Sequence, residues 1–403
     1  MKMNVLVLAV FAGSALNAPG YADDDWDFGL DVRLRFEAVE QTGKQDAEAL
    51  TLRTRARVTL PLWSGVQFLG EIEDVRDFGV GERNSGLNGQ SQFATIKDDD
   101  NTELQRFQLT WTPQPSWRVT AGRQNLSFDN NRFVGSPGWR QDKTTHDALE
   151  MRWQSGALTG RYVYHWQVNR GPGEEFDWDT DTHLAHLAYQ WNPDHTVAGF
   201  AYLIDLTDPL APRHRSNATW GVRANGRFEQ GEWTWSYQAM FAHQTDYGSA
   251  SDAFDLGYWG AELGIARHGW SARVGLEEIE GDGQRSVANP LAANHGVAGW
   301  ADATHGGGAM GPADGLSVRY VGGGYRHRTS QSFLQSVAVG FTAWTFDFER
   351  TGLEFGEELD LFLNLGLTDR TGLSFQFADF DGVEANGAAA DRQKSWVFLT
   401  YRY

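Results

Sequence analysis

From Phe28 to Phe36 the chain alternates without a slip, with Phe28, Leu30, Val32, Leu34 and Phe36 at even positions and Gly29, Asp31, Arg33 and Arg35 at odd ones. Residues 50–60 repeat the pattern, setting Leu50, Leu52, Thr54, Ala56, Val58 and Leu60 against Thr51, Arg53, Arg55, Arg57 and Thr59. A period of two belongs to extended strands, whose successive side chains point to opposite faces. One face here is apolar and the other cationic. The alternation returns at Leu158, Tyr162, Tyr164 and Trp166, at Trp220, Val222, Ala224 and Phe228, at Trp233, Trp235, Tyr237 and Phe241, at Trp259, Leu263 and Ile265, and from Leu359 to Leu367. Aromatic residues gather at the ends of these segments, as the interfacial girdles of a membrane barrel require.

Tight connections at 61–65, 113–116, 155–156, 192–195, 230–231, 267–269 and 368–372 alternate with longer polar segments at 76–102, 125–145, 169–181, 205–216, 245–254, 280–315 and 381–393. This regular swap predicts an all-β chain folded as an antiparallel transmembrane β-barrel of about 18 strands, with short periplasmic turns and longer outer loops. The last strand alternates Val397, Leu399, Tyr401 and Tyr403 against Phe398, Thr400 and Arg402, and its aromatic end resembles the C-terminal signal of outer-membrane proteins. No stretch after residue 22 approaches the roughly 20 apolar residues of a membrane helix, so any spanning structure must be a closed barrel. A soluble β-sandwich, with the apolar face in a core and arginine in water, is the competing fold.

Lys2, the apolar run Val5 to Phe11 and the small residues ending Gly20-Tyr21-Ala22 read as a secretory signal over 1–22, leaving residues 23–403 as a single barrel. Export without any cysteine rules out a disulfide framework and leaves the hydrogen-bonded ladder to hold the fold.

The formal net charge is −19, yet 29 of the 34 basic residues are arginine, the side chain suited to planar recognition of carboxylate or phosphate. An arginine pointed into lipid at mid-depth costs about 2–4 kcal/mol, so the face carrying Arg53, Arg55 and Arg57 must line the lumen. Arg33 and Arg35 join it, and Arg118, Arg152, Arg161, Arg223, Arg273 and Arg319 are expected on lumen parity elsewhere. Lumen carboxylates such as Asp31, Glu37, Glu71, Glu73, Glu150 and Glu277 would brace part of this set. The first two strands still set five arginines against Asp31 and Glu37, which predicts an unpaired cationic surplus and an anion-selective constriction.

The segment Gly122-Arg123-Gln124-Asn125, with Asp129, Arg132-Phe133-Val134-Gly135, Gly138-Trp139-Arg140-Gln141 and Asp147-Ala148, resembles the alginate-export family of outer-membrane proteins. The arginine-rich opening hairpin is similar too. The resemblance implies an 18-stranded barrel with an electropositive constriction for anionic polysaccharide, and it carries over to Arg33, Arg35, Arg53, Arg55, Arg57, Arg123, Arg132 and Arg140. From the residues alone, the glycine-rich loop bearing Arg132 and Arg140 either folds inward and narrows the pore or meets lipopolysaccharide phosphates at the surface.

Catalytic signatures are missing. There is no thiol, no His-Glu-x-x-His spacing and no Gly-x-Ser-x-Gly elbow, so a channel is expected rather than an enzyme, with an outer-membrane hydrolase as the opposing class. No metal or other cofactor is expected. His295 and His305 read as solvated loop residues, and Asp98-Asp99-Asp100, Glu174-Glu175, Asp177, Asp179 and Asp181 as solvated loop tips, calcium or bridged lipopolysaccharide being the alternative for the acids. The expected partners are outer-membrane lipid, lipopolysaccharide and an anionic saccharide or small anion, with periplasmic export partners compatible and no nucleic acid. A general porin without saccharide specificity fits the same pattern.

Overall fold

The computed structural model describes residues 26–403 apart from 137, 172, 294 and 307, so the signal segment expected at 1–22 lies outside the described residues. The strands are β1 Asp27–Gln41, β2 Ala47–Trp63, β3 Val66–Asp77, β4 Asn101–Gln114, β5 Trp117–Gln124 and β6 Thr145–Ser155. They continue as β7 Leu158–Asn169, β8 Trp178–Asn192, β9 His195–Ile204, β10 Asn217–Gln230, β11 Trp233–Asp246 and β12 Asp255–Arg267. The ring is completed by β13 Trp270–Ile279, β14 Leu316–Gln331, β15 Leu334–Asp347, β16 Glu354–Gly366, β17 Thr371–Gly382 and β18 Arg392–Arg402. Each strand pairs antiparallel with the next, and β18 closes onto β1 from Asp31 opposite Arg402 to Gln41 opposite Arg392. A closed 18-stranded ring satisfies every strand edge internally, the condition for crossing hydrocarbon with strands.

Short turns fall at one end and longer loops at the other. One turn, Ser332-Phe333, escapes the sequence pattern because neither glycine nor proline marks it, and two outer connections, 42–46 and 348–353, escape because they are too short to read as outer loops. The two faces of the sheet follow the alternation. In β1, Arg33, Arg35, Glu37 and Val39 are buried inside while Phe28 stands 45% exposed outside. Ile72, Leu109, Leu187, Val222, Leu263, Val274 and Phe341 form an exposed apolar band. Trp63, Trp111, Trp191, Trp233 and Trp270 flank it at the turn end, and Trp166, Trp220 and Trp259 at the loop end.

Arg319 departs from its expected place. Val318 and Tyr320 are buried inward, so Arg319 faces out and pairs with Asp347 at 2.6 Å. It sits in the fourth residue of β14, at the loop end of the barrel, where an outward charge costs only about 0–1 kcal/mol.

The packed core of this protein lies inside the barrel. Near the loop end many inward positions are apolar, including Val163, Leu184, Tyr202, Ile204, Met240, Val318, Phe346, Phe380 and Trp396, beside the charged Arg35, Glu37, Glu358 and Asp360. Against them pack Leu126, Phe128, Phe133, Val134, Leu291, Ala298 and Met310, which belong to the loops 125–144 and 280–315. Burial of apolar surface, at about 25 cal/mol per Å², is what draws these loops into the lumen rather than out into water.

Candidate functional site

The two inward loops are tied to each other by backbone. Gly135 N–H donates to Leu291 O at 2.8 Å, and Ala293 N–H to Asn131 O at 3.2 Å. Arg132, 2% exposed, pairs with Glu277 of β13 and donates to Val297 O at 3.0 Å, while its own carbonyl accepts from Asn289 at 3.2 Å. A third loop, 78–100, joins them through Asp98, whose carboxylate accepts from Gln141 N–H at 3.1 Å.

Arg33 is the nail that holds loop 125–144 to the wall. Its guanidinium donates to Gly138 O at 2.8 Å, Trp139 O at 2.9 Å, Arg140 O and the Gln141 side chain at 2.7 Å. Arg35 adds a bond to Trp139 O at 3.0 Å and pairs with Glu37 and, at 3.4 Å, with Asp98. At the foot of the loop, Gly122 has φ +111°, and a Cβ there would collide with the Phe107 carbonyl, which explains the glycine before Arg123.

Four of the five arginines of β1 and β2 meet an acid, and the predicted surplus shrinks to Arg33, which carbonyls and Gln141 hold instead; β1 itself supplies Asp27, Asp31 and Glu37, and Glu73 and Asp98 reach in from β3 and loop 78–100. Arg53 meets Asp31, Arg55 meets Glu73, and Arg57 meets Asp27 at 3.0 Å. Arg123 pairs with Asp147 at 3.0 Å. Asp98 and His295 are likewise not solvated tips. Asp98 is 1% exposed, and His295 Nδ1–H donates to the Asp302 carboxylate at 3.0 Å while its ring stacks on Trp139 at 3.6 Å.

Three cations without an ion pair among the described residues stand in the loops, and one of them, Arg140, is a residue singled out from the sequence. Arg140 and Lys97 are exposed within the inward loops and make no side-chain hydrogen bond or ion pair among the described residues. Arg170 lies over the Trp178 ring at 3.9 Å and has no ion pair among the described residues. The three converge because Gln141 is bonded to Asp98, which sets Arg140 beside Lys97, and because Gly171 lies against the Asp142 carboxylate. Burial first, then the repulsion of Arg140 and Arg170, pulls the Lys97 ammonium below its ordinary value. Lys97 and Arg170 stand in loops, where no periodicity flags a residue.

Beneath them Glu73, Glu103 and Asp142 bring carboxylate oxygens within 4.8 Å of one another, the arrangement most able to hold a cation among the described residues. Gln105 already donates to Glu73 at 3.0 Å and to Glu103 at 2.8 Å, and Arg55 to Glu73. Nearby Lys143 is drawn down to about 8 by burial, reinforced by Arg55 and Arg106 against the opposing pull of Glu71 and Glu73. Its positive charge is therefore present at pH 7 and lost as pH rises through 8. The chloride-to-potassium permeability ratio, read as a reversal potential, is expected to fall between about pH 7 and 9, and the Lys143→Gln variant to lack that step.

A lipid-girdled closed ring narrowed by inward loops is a porin-like channel of the bacterial outer membrane, set among its lipid and lipopolysaccharide. The fold matches OpdK of Pseudomonas aeruginosa, crystallised with vanillate, with a TM-score of 0.70 at 11% identity over 95% of this chain and 100% of that one. OpdL of the same organism gives 0.67 at 12% over 94% and 99%, and OccAB4 of Acinetobacter baumannii 0.67 at 11% over 94% and 98%. The alginate export family profile matches residues 24–295, and the chain belongs to that family. No curated protein matches the sequence.

Proposed function

We propose that this channel selects anions, acidic saccharides of the uronate type foremost, at the constriction formed by loops 78–100, 125–144 and 170–177. The observation that carries this reading is the convergence of Lys97, Arg140 and Arg170 without a paired acid among the described residues. Fixed cations in a low-dielectric throat concentrate counter-ions, and guanidinium geometry suits a carboxylate. The arginines of β1 and β2 serve this indirectly, by holding the loop that presents Arg140. Vanillate in OpdK is itself a carboxylate, which fits the same chemistry. Alginate is one member of the solute class, and passage of small anions without saccharide specificity follows from the same charges.

In planar bilayers at low salt, where screening is weak, the wild type is expected to prefer chloride over potassium. Replacing Lys97, Arg140 and Arg170 together with Gln should erase that preference, whereas Arg57→Gln, removing a cation already paired to Asp27, should move it far less. Cation preference in the wild type, or an unmoved reversal potential in the triple variant, would overturn the reading.

A further inference from the structure

A second group of cations stands away from the constriction, on the outer loops. Arg213–Arg215 form one 3-10 turn in loop 205–216, and Arg285 reaches it from loop 280–315. Arg285 donates to the His214 carbonyl at 3.4 Å, and Arg215 to the His214 ring at 3.2 Å, so two guanidiniums bracket one exposed histidine. Arg215 also donates to Gly306 O at 3.3 Å, which seats the cluster on the inward loop and hence at the mouth. One carboxylate answers these charges, Asp252, paired with Arg285 at 2.9 Å and itself 63% exposed in its side chain. Neither Arg213 nor Arg215 pairs with an acid among the described residues. In a chain of net charge −19, two arginines held side by side against a single exposed acid need a reason other than stability.

We propose that Arg215 and Arg285 form an anion-binding site at the outer mouth, which takes a carboxylate or phosphate group of the passing solute. Like-charged guanidiniums held side by side are relieved by an anion that bridges them, and their planar forks accept either group in paired hydrogen bonds. Phe254 under Arg285, at 5.1 Å, keeps that fork fixed from below. Such a site captures solute at the loop end and raises its local concentration ahead of Lys97, Arg140 and Arg170.

The inference rests on the anion-channel reading, and the two are separable by experiment. With a galacturonate trimer as probe, single-channel block is recorded with the trimer added from either side. The Arg215→Gln, Arg285→Gln variant is expected to lower the association rate from the loop side about tenfold at low salt, with the rate from the turn side and the reversal potential unchanged. Arg215→Lys with Arg285→Lys, which keeps the charge, should retain most of the rate. Equal loop-side rates in wild type and Gln variant overturn the mouth site. So does loss of co-purified lipopolysaccharide without a change in those rates, which would assign the cluster to lipid phosphate. A wild type without anion preference defeats the channel reading instead, while the side-dependent rate still reports on the mouth.

Discussion

Arg33→Ala opens the pore. The substitution leaves the carbonyls of Gly138, Trp139 and Arg140 and the Gln141 side chain without their shared donor. Each buried acceptor left unmade costs about 1–3 kcal/mol. Arg35 on Trp139 O and the Gln141 amide on Arg33 O and Thr51 remain, and they hold Trp139 and Gln141 but not Gly138 or Arg140. Loop 125–144 is expected to detach from β1 while the barrel, whose ladder does not involve it, stays closed. Single-channel conductance should rise and become noisy, and protease should cut near Gly138 in folded, heat-modifiable protein. A variant with wild-type conductance and an intact loop would show that the apolar packing of Phe133 and Val134 suffices.

Arg132→Leu is expected to release the other side of the constriction. It strands Glu277 inside the lumen and removes the bond to Val297 O, and breaking a buried pair from one side costs about 3–5 kcal/mol. Protease cleavage within 281–315 and a lower unfolding temperature are the readouts. Glu277→Gln should be milder, since a neutral acceptor remains for the guanidinium. Because both loops share the Gly135–Leu291 hydrogen bond, the Arg33 and Arg132 variants should combine non-additively in conductance. Strict additivity would mean that the loops move independently.

The barrel was legible because a strand half in lipid must alternate, and the cost of a lipid-facing arginine fixes which face is which. Arg33 and Arg53, opposite each other across the first hairpin, follow from that rule alone. Arg319 escaped it because charge at the rim costs little, so parity there is not enforced. What the alternation could not carry is pairing between distant segments. Asp98 reads as part of an acidic tip, yet it ends 1% exposed between Arg35 and Gln141, residues 63 and 43 positions away along the chain. For the same reason Arg35 and Arg55 draw on acids that the first hairpin does not show, Asp98 and Glu73, while Arg57 is met by Asp27 at the very start of β1. Lys97 and Arg170 carry no local signal, since loop residues obey no period. The inward apolar stretch of Leu184, Tyr202 and Phe346 is readable only once the strands are in register, because a lumen packed with loops needs grease on the inside as well.

Trp139 touches Trp396 at 5.0 Å and Phe398 at 5.3 Å, both on the last strand, while its carbonyl is gripped by β1. Its seat therefore straddles the seam where the chain's two ends meet, and it does not exist until β18 has zipped onto β1. During insertion into the membrane the throat can only be finished after the wall, so an unsealed intermediate is a wide hole without a filter. Sequence order and assembly order are inverted here: the loop that carries Trp139 is synthesised in the first half of the chain and is seated last.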